Sequence, residues 1–426
     1  MLEPFLTATA SPMNHLSRSA LLATLAALPL TATLSAENGD PALTHAKALL
    51  TKVILIDGHN DLPWTIREDK QAAGRVELYD LRRKVSGQTD IARLRAGGLG
   101  GQFWSVYTPG EAQGHFARTQ LEQIDIALQV IERYPDTFVL ARTAADIRSA
   151  HKNGHIASLL GIEGGHAIED SLGALRAYYD LGVRYMTLTH NTHTSWADSA
   201  AFPPVHGGLT PFGEQVVHEM NRIGMLVDLS HVATETMDDA LRVAKAPVIF
   251  SHSSARALCD VPRNVPDDIL ERVKANGGVV MVTFVPGFIN PQVSAIQQPA
   301  MDEYNRRSQG LPEAQRDQLE HEIFDNLKFP KVTIAQVADH IEHVRDVAGL
   351  EHVGLGGDFD GNSSWPEGLS DVSMYPKLFA ELIRRNWSDH DLELLAGGNV
   401  LRALERAEAV SRAMRSEPVP SGLAKE

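Results

Sequence analysis

At 426 residues, 43% hydrophobic and 22% charged, the chain has an ordinary globular composition. It is long enough for one large α/β barrel as well as for two or three smaller domains. A net charge of −15, with no concentrated block of Lys and Arg, argues against nucleic acid as a partner, because phosphate binding needs a basic surface.

In chain order, residues 1–36 come first and read as a secretory signal, with Met13 as an alternative start. Arg18 precedes an apolar run from Ala20 to Leu34, which ends in small residues at Ser35 and Ala36. A membrane span needs roughly 20 apolar residues, so this run is short for one. The expected product is secreted or periplasmic, with no stable membrane anchor; an uncleaved anchor is the alternative. The expected main domain covers 37–414, and 415–426 is a polar tail without an anchor signal.

The body alternates short β-branched runs with helical patterns, which implies parallel strands with crossover helices. Eight strands are predicted: Val53–Ile56, Gly101–Tyr107, Ile156–Ile162, Tyr185–Thr189, Met225–Leu229, Val248–Ser251, Gly278–Phe284 and Val353–Gly357. Helices are predicted at Leu172–Leu181, Thr234–Val243 and Val337–Ala348. The fold class is α/β, a (β/α)₈ TIM-type barrel, with a polar helical insertion at Phe288–Lys331 between its seventh and eighth strands. An open doubly wound sheet is the alternative. No Gly-x-Gly-x-x-Gly element follows the first strand, which weighs against its nucleotide-binding version.

The strand exits carry the chemistry. The first runs into Asp57-Gly-His59-Asn-Asp61, the third ends at Glu163, and the fourth at His190. The fifth ends in Asp228-Leu-Ser-His231, the sixth in Ser251-His252, and the eighth in Asp358-Phe-Asp360. In a barrel these ends share one face, the face that carries catalysis. The single cysteine, Cys259, excludes an intramolecular disulfide and a cysteine zinc site, so a metal here must be held by His and carboxylates. His59 and Asp61, two apart on extended backbone, point the same way and suit one metal. His231 and His252 suit a second, and Glu163 has two oxygens with which to bridge them. This set fits zinc with room for water; other first-row metals stay open.

Each residue alone has a plainer reading. Most of the 18 histidines are expected to be solvated or hydrogen-bonded. Glu163 would also serve as a cap on a neighbouring helix. His166, His193 and His206 follow strand ends and are expected to bond backbone or face solvent. Ser230, Ser251, Ser253 and Ser254 flank the histidines, but no Gly-x-Ser-x-Gly elbow marks a serine nucleophile.

At these residues the chain resembles the renal (membrane) dipeptidase family of zinc metallopeptidases. The matching stretches are IDGHNDLPW, GGQFWSVYTP, GIEGGHAIEDSLGALRAYYDLGVRYMTLTH, LVDLSH, SHSSARALCDVPRNVPDDIL, GLGGDFDG and GGNVLR, spread from about residue 53 to 402. The resemblance implies two Zn²⁺ ions per chain, one on His59 and Asp61, the other on His231 and His252, with Glu163 between. It implies His190 at the scissile carbonyl, Arg263 on the substrate carboxylate and Asp358 as the proton-transfer residue. It also places Trp64 and Tyr107 in the substrate pocket. The implied substrates are free dipeptides, including those with a C-terminal D-residue. Animal members carry disulfides and a lipid anchor, and neither is expected here.

From the residues alone, an ion pair of Arg263 with Asp267 or Asp268 is an alternative to substrate binding. Asp360 is the second candidate for proton transfer. Two other functions stay open: a different metal-dependent hydrolase on the same barrel, and a binding protein that kept the fold without catalysis. A homodimer is the one assembly kept in view.

Overall fold

The computed structural model describes residues 39–110, 114–308 and 310–421. The signal segment at 1–36, and residues 422–426 of the polar tail, lie outside the described residues.

Nine parallel strands form one sheet: β1 Leu55–Asn60, β2 Leu99–Tyr107, β3 Phe138–Leu140, β4 Ile156–Glu163, β5 Val183–Thr187, β6 Leu226–Asp228, β7 Ile249–Phe250, β8 Val279–Val282 and β9 Val353–Leu355. Eight of them close a ring. β2 pairs with β1 on one side and with β4 on the other, Tyr107 lying opposite Glu163. The remaining pairings run β4–β5, β5–β6, β6–β7, β7–β8, β8–β9 and β9–β1. β3 adds to β4 only at Ile156–Ser158. The expected barrel is the observed one. The extra strand, which pairs only with β4 outside the ring, is not among those read from the sequence.

Alternate strand residues separate two apolar layers. Ile56, Phe103, Leu159, Tyr185, Leu226, Ile249, Val279 and Met281 share one buried cluster with Val400, Leu401 and Leu404 of helix Asn399–Ala413. Their neighbours Leu55, Trp104, Leu160, Met186, Val227, Phe250 and Val280 belong to the second cluster, under the surrounding helices. This is the pleat at work: successive side chains leave opposite faces of a strand.

Caps set where strands begin. Ser171 accepts from the Ala174 N–H to open Leu172–Leu181, and Gly182 closes that helix at φ 119°, delivering Val183 into β5. Helix Thr234–Val243 has the predicted bounds, and Ile334–Ala348 starts three residues earlier than read, at Thr333, whose capping box with Gln336 fixes it. The first strand starts later than read and runs further, so that His59 and Asn60 lie within it. Between β8 and β9 the chain makes helices Pro286–Ile289, Pro291–Ser308 and Glu313–Phe324 before Ile334–Ala348, and Tyr304 meets Phe324 at 6.2 Å between ring centroids. Among the described residues no helix is long and apolar enough to cross a membrane.

Candidate metal centre

The strand ends bring His59, Asp61, Glu163, His190, His231, His252 and Asp358 to one mouth. Glu163 ends β4 and faces two ways. Its Oε2 lies 3.5 Å from His59 Nε2, and its Oε1 lies 3.1 Å from His231 Nε2 and 3.6 Å from His252 Nε2. His59 Nε2 also stands 3.2 Å from Asp61 Oδ2 and 3.9 Å from Asp358 Oδ1. His190 Nε2 is 3.8 Å from Glu163 Oε1. Three overlapping triads have ligand atoms within 4.8 Å of one another: His59–Asp61–Glu163, Glu163–His231–His252 and His59–His252–Asp358.

These donors fit a metal. His59 Nε2 is buried without a hydrogen-bond partner, and His231 Nε2 approaches His252 Nε2 at 2.9 Å. Two imidazole nitrogens so close do not satisfy each other unless one is protonated. Burial holds both His231 and His252 well below the usual histidine range, which favours their neutral form. A cluster of imidazole nitrogens and carboxylates aimed at common points is what a divalent cation requires. For His59, burial acts downward but is outweighed by nearby Tyr185, Glu163 and Asp61, which hold its proton affinity well above the usual range.

The opposite ring nitrogens are spoken for, and sequence reasoning missed most of their partners. His231 Nδ1 meets Asn191 Oδ1 at 3.2 Å, which fixes its proton there. His252 Nδ1 meets the Ser251 hydroxyl at 2.8 Å. That hydroxyl donates to Asp228 Oδ2 at 2.6 Å, so it accepts from Nδ1–H and leaves Nε2 bare. Asp228 is in turn fixed by the N–H groups of Ser230 and Ser251 and the Thr187 hydroxyl. His59 Nδ1 lies 2.9 Å from the Tyr185 hydroxyl, and Gly161 makes room for that ring, since a Cβ there would lie 2.0 Å from it. Ser105 donates to Glu163 Oε2 at 3.1 Å. Serines and Asn191 adjoining the predicted ligands were visible in the sequence; Tyr185 gave no local signal.

Two of the site residues sit in left-handed backbone, His231 at φ 68° and Asp358 at φ 62°. That conformation costs a non-glycine residue on the order of 1 kcal/mol and is a frequent mark of functional positions. Gly361 has no Cβ to collide with Asp61 Oδ2 or Asp358 Oδ1, which would lie 2.3 and 2.5 Å away. Burial raises the Asp358 carboxyl well above the usual carboxylate range, and the carboxylates of Asp61 and Glu163 add to the effect. Asp360 points instead at the Gln88 N–H, 2.7 Å away, while its own N–H donates to Gln88 Oε1, which gives it a loop-fixing role. Asp57 fixes the neighbouring backbone too, accepting from the N–H groups of His59 and Gly357 and from the Tyr375 hydroxyl.

An aromatic wall continues from the cluster. His231 and His190 rings lie 4.4 Å apart, His190 and Tyr107 4.8 Å, and Tyr107 and Trp64 4.9 Å. Across from it, Arg263 donates to Ser253 Oγ at 3.2 Å and to the His252 carbonyl at 3.3 Å, with the Phe288 ring 5.1 Å below its guanidinium. It makes no ion pair with Asp267 or Asp268 among the described residues; Asp267 pairs with His343 at 2.8 Å. Burial pushes the guanidinium down to about 10, against the pull of Asp358 and Glu163. His166, His193 and His206 are each tied to the backbone, at Thr108 O, Ser199 N and Thr194 O.

The sequence profile of the membrane dipeptidase family (peptidase family M19) matches residues 43–418. Dipeptidase verJ of Clonostachys rogersoniana is 42% identical over 388 residues, which cover 88% of this chain and 90% of that protein. Dipeptidase 3 of Rattus norvegicus is 41% identical over 388 residues, covering 89% and 71%. A metallopeptidase of Rhodobacter sphaeroides, solved with a phosphinate mimic of the dipeptide L-Ala-D-Ala, superposes with a TM-score of 0.68 at 26% identity, over 83% of this chain and 99% of that one. The probable dipeptidase PvdM of Pseudomonas aeruginosa, at 24% identity and a TM-score of 0.76 over 87% and 99% of the two chains, shares the fold.

Proposed function

The chain belongs to the membrane dipeptidase family M19, and we propose that it hydrolyses the amide bond of free dipeptides, including those with a C-terminal D-residue, at a two-zinc centre. It is a hydrolase acting on dipeptides and, with its family, a metallopeptidase. The observation that carries the finer reading is the double aspect of Glu163, one oxygen toward His59 and the other toward His231 and His252. His59 and Asp61 would hold one ion and His231 and His252 the other, with Glu163 on both. Two bound Zn²⁺ would supply Lewis acidity and bring a water's deprotonation into the neutral range.

The protein's own groups account for the rest. Asp358 accepts the proton of the attacking water and returns it to the leaving nitrogen, which also takes up the second proton of that water, so the amide and water become a carboxylate and an ammonium group. Its burial raises its proton affinity, which favours acceptance of a proton from the water. His190, beside Glu163, is placed to stabilise the developing oxyanion. Arg263 receives the substrate carboxylate in its planar fork and thereby sets the amide over the centre. Trp64 and Tyr107 line the approach. The L-Ala-D-Ala mimic in the Rhodobacter sphaeroides metallopeptidase supports acceptance of a C-terminal D-residue. The segment 1–36 supports export, with a mature chain beginning near Glu37 that fractionates outside the cytoplasm.

The test pairs elemental analysis of the active protein with a panel of L-Xaa-L-Xaa and L-Xaa-D-Xaa dipeptides, lactones and phosphoesters. Close to two equivalents of zinc and selective turnover of both dipeptide types are expected. Full activity with one ion would remove the shared role of Glu163, and a preference for lactones or phosphoesters would remove the substrate assignment.

A further inference from the structure

Ser199 lies outside the ligand cluster, yet it touches the backbone of two residues in it. It is fully buried, and its hydroxyl donates to the His190 carbonyl at 2.6 Å while lying 3.4 Å from the His231 carbonyl. The same hydroxyl accepts from the Ala201 N–H at 3.2 Å. Ser199 also forms an isolated antiparallel bridge with Val232. The next residue, Ala200, donates its N–H to the His231 carbonyl at 2.7 Å, and Thr189 Oγ1 lies 3.2 Å from the same oxygen. Two donors, the Ala200 N–H and the Thr189 hydroxyl, thus meet on the carbonyl of a residue held at φ 68°, with the Ser199 oxygen beside it. That conformation persists only where its surroundings over-determine it.

The segment that carries Ser199 is itself rigidly mounted. The Asp198 carboxylate is buried and accepts the N–H groups of Val205, His206 and Gly208 at 2.9 to 3.1 Å. The Asp198 backbone exchanges hydrogen bonds with the Thr236 hydroxyl at 3.2 and 3.0 Å and accepts the Ala233 N–H at 2.9 Å. The loop after β5 is therefore pinned to the start of helix Thr234–Val243, the helix that follows His231. A hydroxyl on such a mount fixes what it touches.

We propose that Ser199 is a positioning residue: its hydroxyl ties the His190 carbonyl to the Ala201 N–H and so fixes the segment from which the Ala200 N–H holds the His231 carbonyl, keeping both imidazoles against Glu163 and preorganising one end of the metal centre. The inference rests on the reading of His231 as a ligand. His231 Nε2 stands 3.1 Å from Glu163 Oε1 by virtue of its left-handed backbone. If that backbone relaxes toward ordinary φ, the ring turns away from the carboxylate.

The experiment measures Zn²⁺ affinity by chelator competition and the visible absorption of the Co²⁺-loaded protein. Wild type, Ser199→Ala, Ser199→Thr and His231→Ala are compared, with the melting temperature of each metal-free protein. Ser199→Ala is expected to bind Zn²⁺ about 10-fold more weakly, in the range found for partners behind metal ligands. Its Co²⁺ spectrum should change and its kcat should fall with little change in KM. Ser199→Thr, which keeps the hydroxyl, should restore both. The metal-free melting temperature should fall by no more than about 2 °C, the order expected for one lost hydrogen bond. Wild-type affinity and spectrum in Ser199→Ala overturn the proposal. So does a loss that Thr fails to restore, or one matched by a larger fall in metal-free stability, which makes Ser199 a packing residue. Wild-type Zn²⁺ affinity in His231→Ala would instead remove the ligand reading underneath it.

Discussion

At the scale of single residues, the site separates groups that hold from groups that react. Asp358 stands 3.9 Å from His59 Nε2 and is mostly buried, with 14% of its side chain exposed against 7% for Glu163 and 2% for His252. Asp358→Asn keeps size and polarity but removes the proton acceptor. Bound metal should persist, and turnover should fall by roughly 10²–10⁴, the usual contribution of a general acid–base group. Near-normal turnover in that variant would take the proton-transfer role away from Asp358. Asp360 is the less suited group, since its Oδ1 is engaged by the Gln88 N–H and its backbone N–H by Gln88 Oε1. Arg263 makes a different kind of prediction. Among the described residues its guanidinium hydrogen-bonds a hydroxyl and a carbonyl and makes no ion pair with a carboxylate, which leaves its charge for an incoming anion. Amidating the C-terminus of a dipeptide removes that anion and leaves a desolvated cation poorly matched. The loss should be a few kcal/mol, or about 10²-fold or more in kcat/KM. Arg263→Ala should lower kcat/KM on free dipeptides while barely changing the slow rate on amides. Equal rates on acids and amides by the wild type would make Arg263 structural.

At the scale of elements, the loops after β7 and β8 are tied together by one neutral histidine. His340 Nδ1 accepts from the Ala255 N–H at 3.1 Å, and its Nε2 donates to the Ile289 carbonyl at 3.0 Å. Only the neutral ring has both a donor and an acceptor, and burial pushes its proton affinity down from 6.5 to about 4. A histidine depressed on folding stabilises the fold fully above its unfolded value, and the contribution is lost as pH falls from about 6.5 toward 4. The loss amounts to roughly 3 kcal/mol across that window. In metal-free protein, urea unfolding at a series of pH values should show wild type losing about that much more than His340→Gln; parallel curves would mean that His340 is not held neutral. This cross-tie also shows where the sequence stopped being legible. The barrel, its strand order and the ends that carry His59, Glu163 and His252 follow from local pattern, because strands and their exits are written in consecutive residues. Tyr185 beneath His59, and His340 between two loops, are separated from their partners by 126 and 85 positions. They become neighbours only when the ring closes. The short strand Phe138–Leu140 is not read from the sequence either; it pairs only with β4, outside the ring, and buries only Phe138.

At the scale of the whole molecule, the candidate ligands draw together parts of the ring that the sheet joins only edge to edge. His59 lies in β1 with Asp61 just beyond it, Glu163 ends β4, and His231 and His252 follow β6 and β7. Cations held by this set would cross-link four strands at the mouth, and they would do so only in the folded chain, where those residues meet. A ligand that binds the native state alone stabilises it by RT ln(1 + [L]/Kd), about 4 kcal/mol at a free concentration 1,000-fold above Kd. For a protein of this size each kcal/mol moves the melting temperature by little more than about 1 °C, because the unfolding entropy grows with length. Removing the metal with a chelator should therefore lower the melting temperature by roughly 5 °C, and readdition of Zn²⁺ should restore it with a dependence on free metal concentration. The loss should be local as well. Amide exchange should rise most at the C-terminal strand ends around Asp57–Asp61, Glu163 and Leu229–His252, and least in the opposite layer where helix Asn399–Ala413 packs with Ile56, Ile249 and Met281. A uniform rise in exchange would mean that the ions stabilise the barrel as a whole rather than its mouth. A melting temperature indifferent to a complete loss of metal would mean that ions also bind the unfolded chain, and that the cluster is not the preformed site its geometry describes.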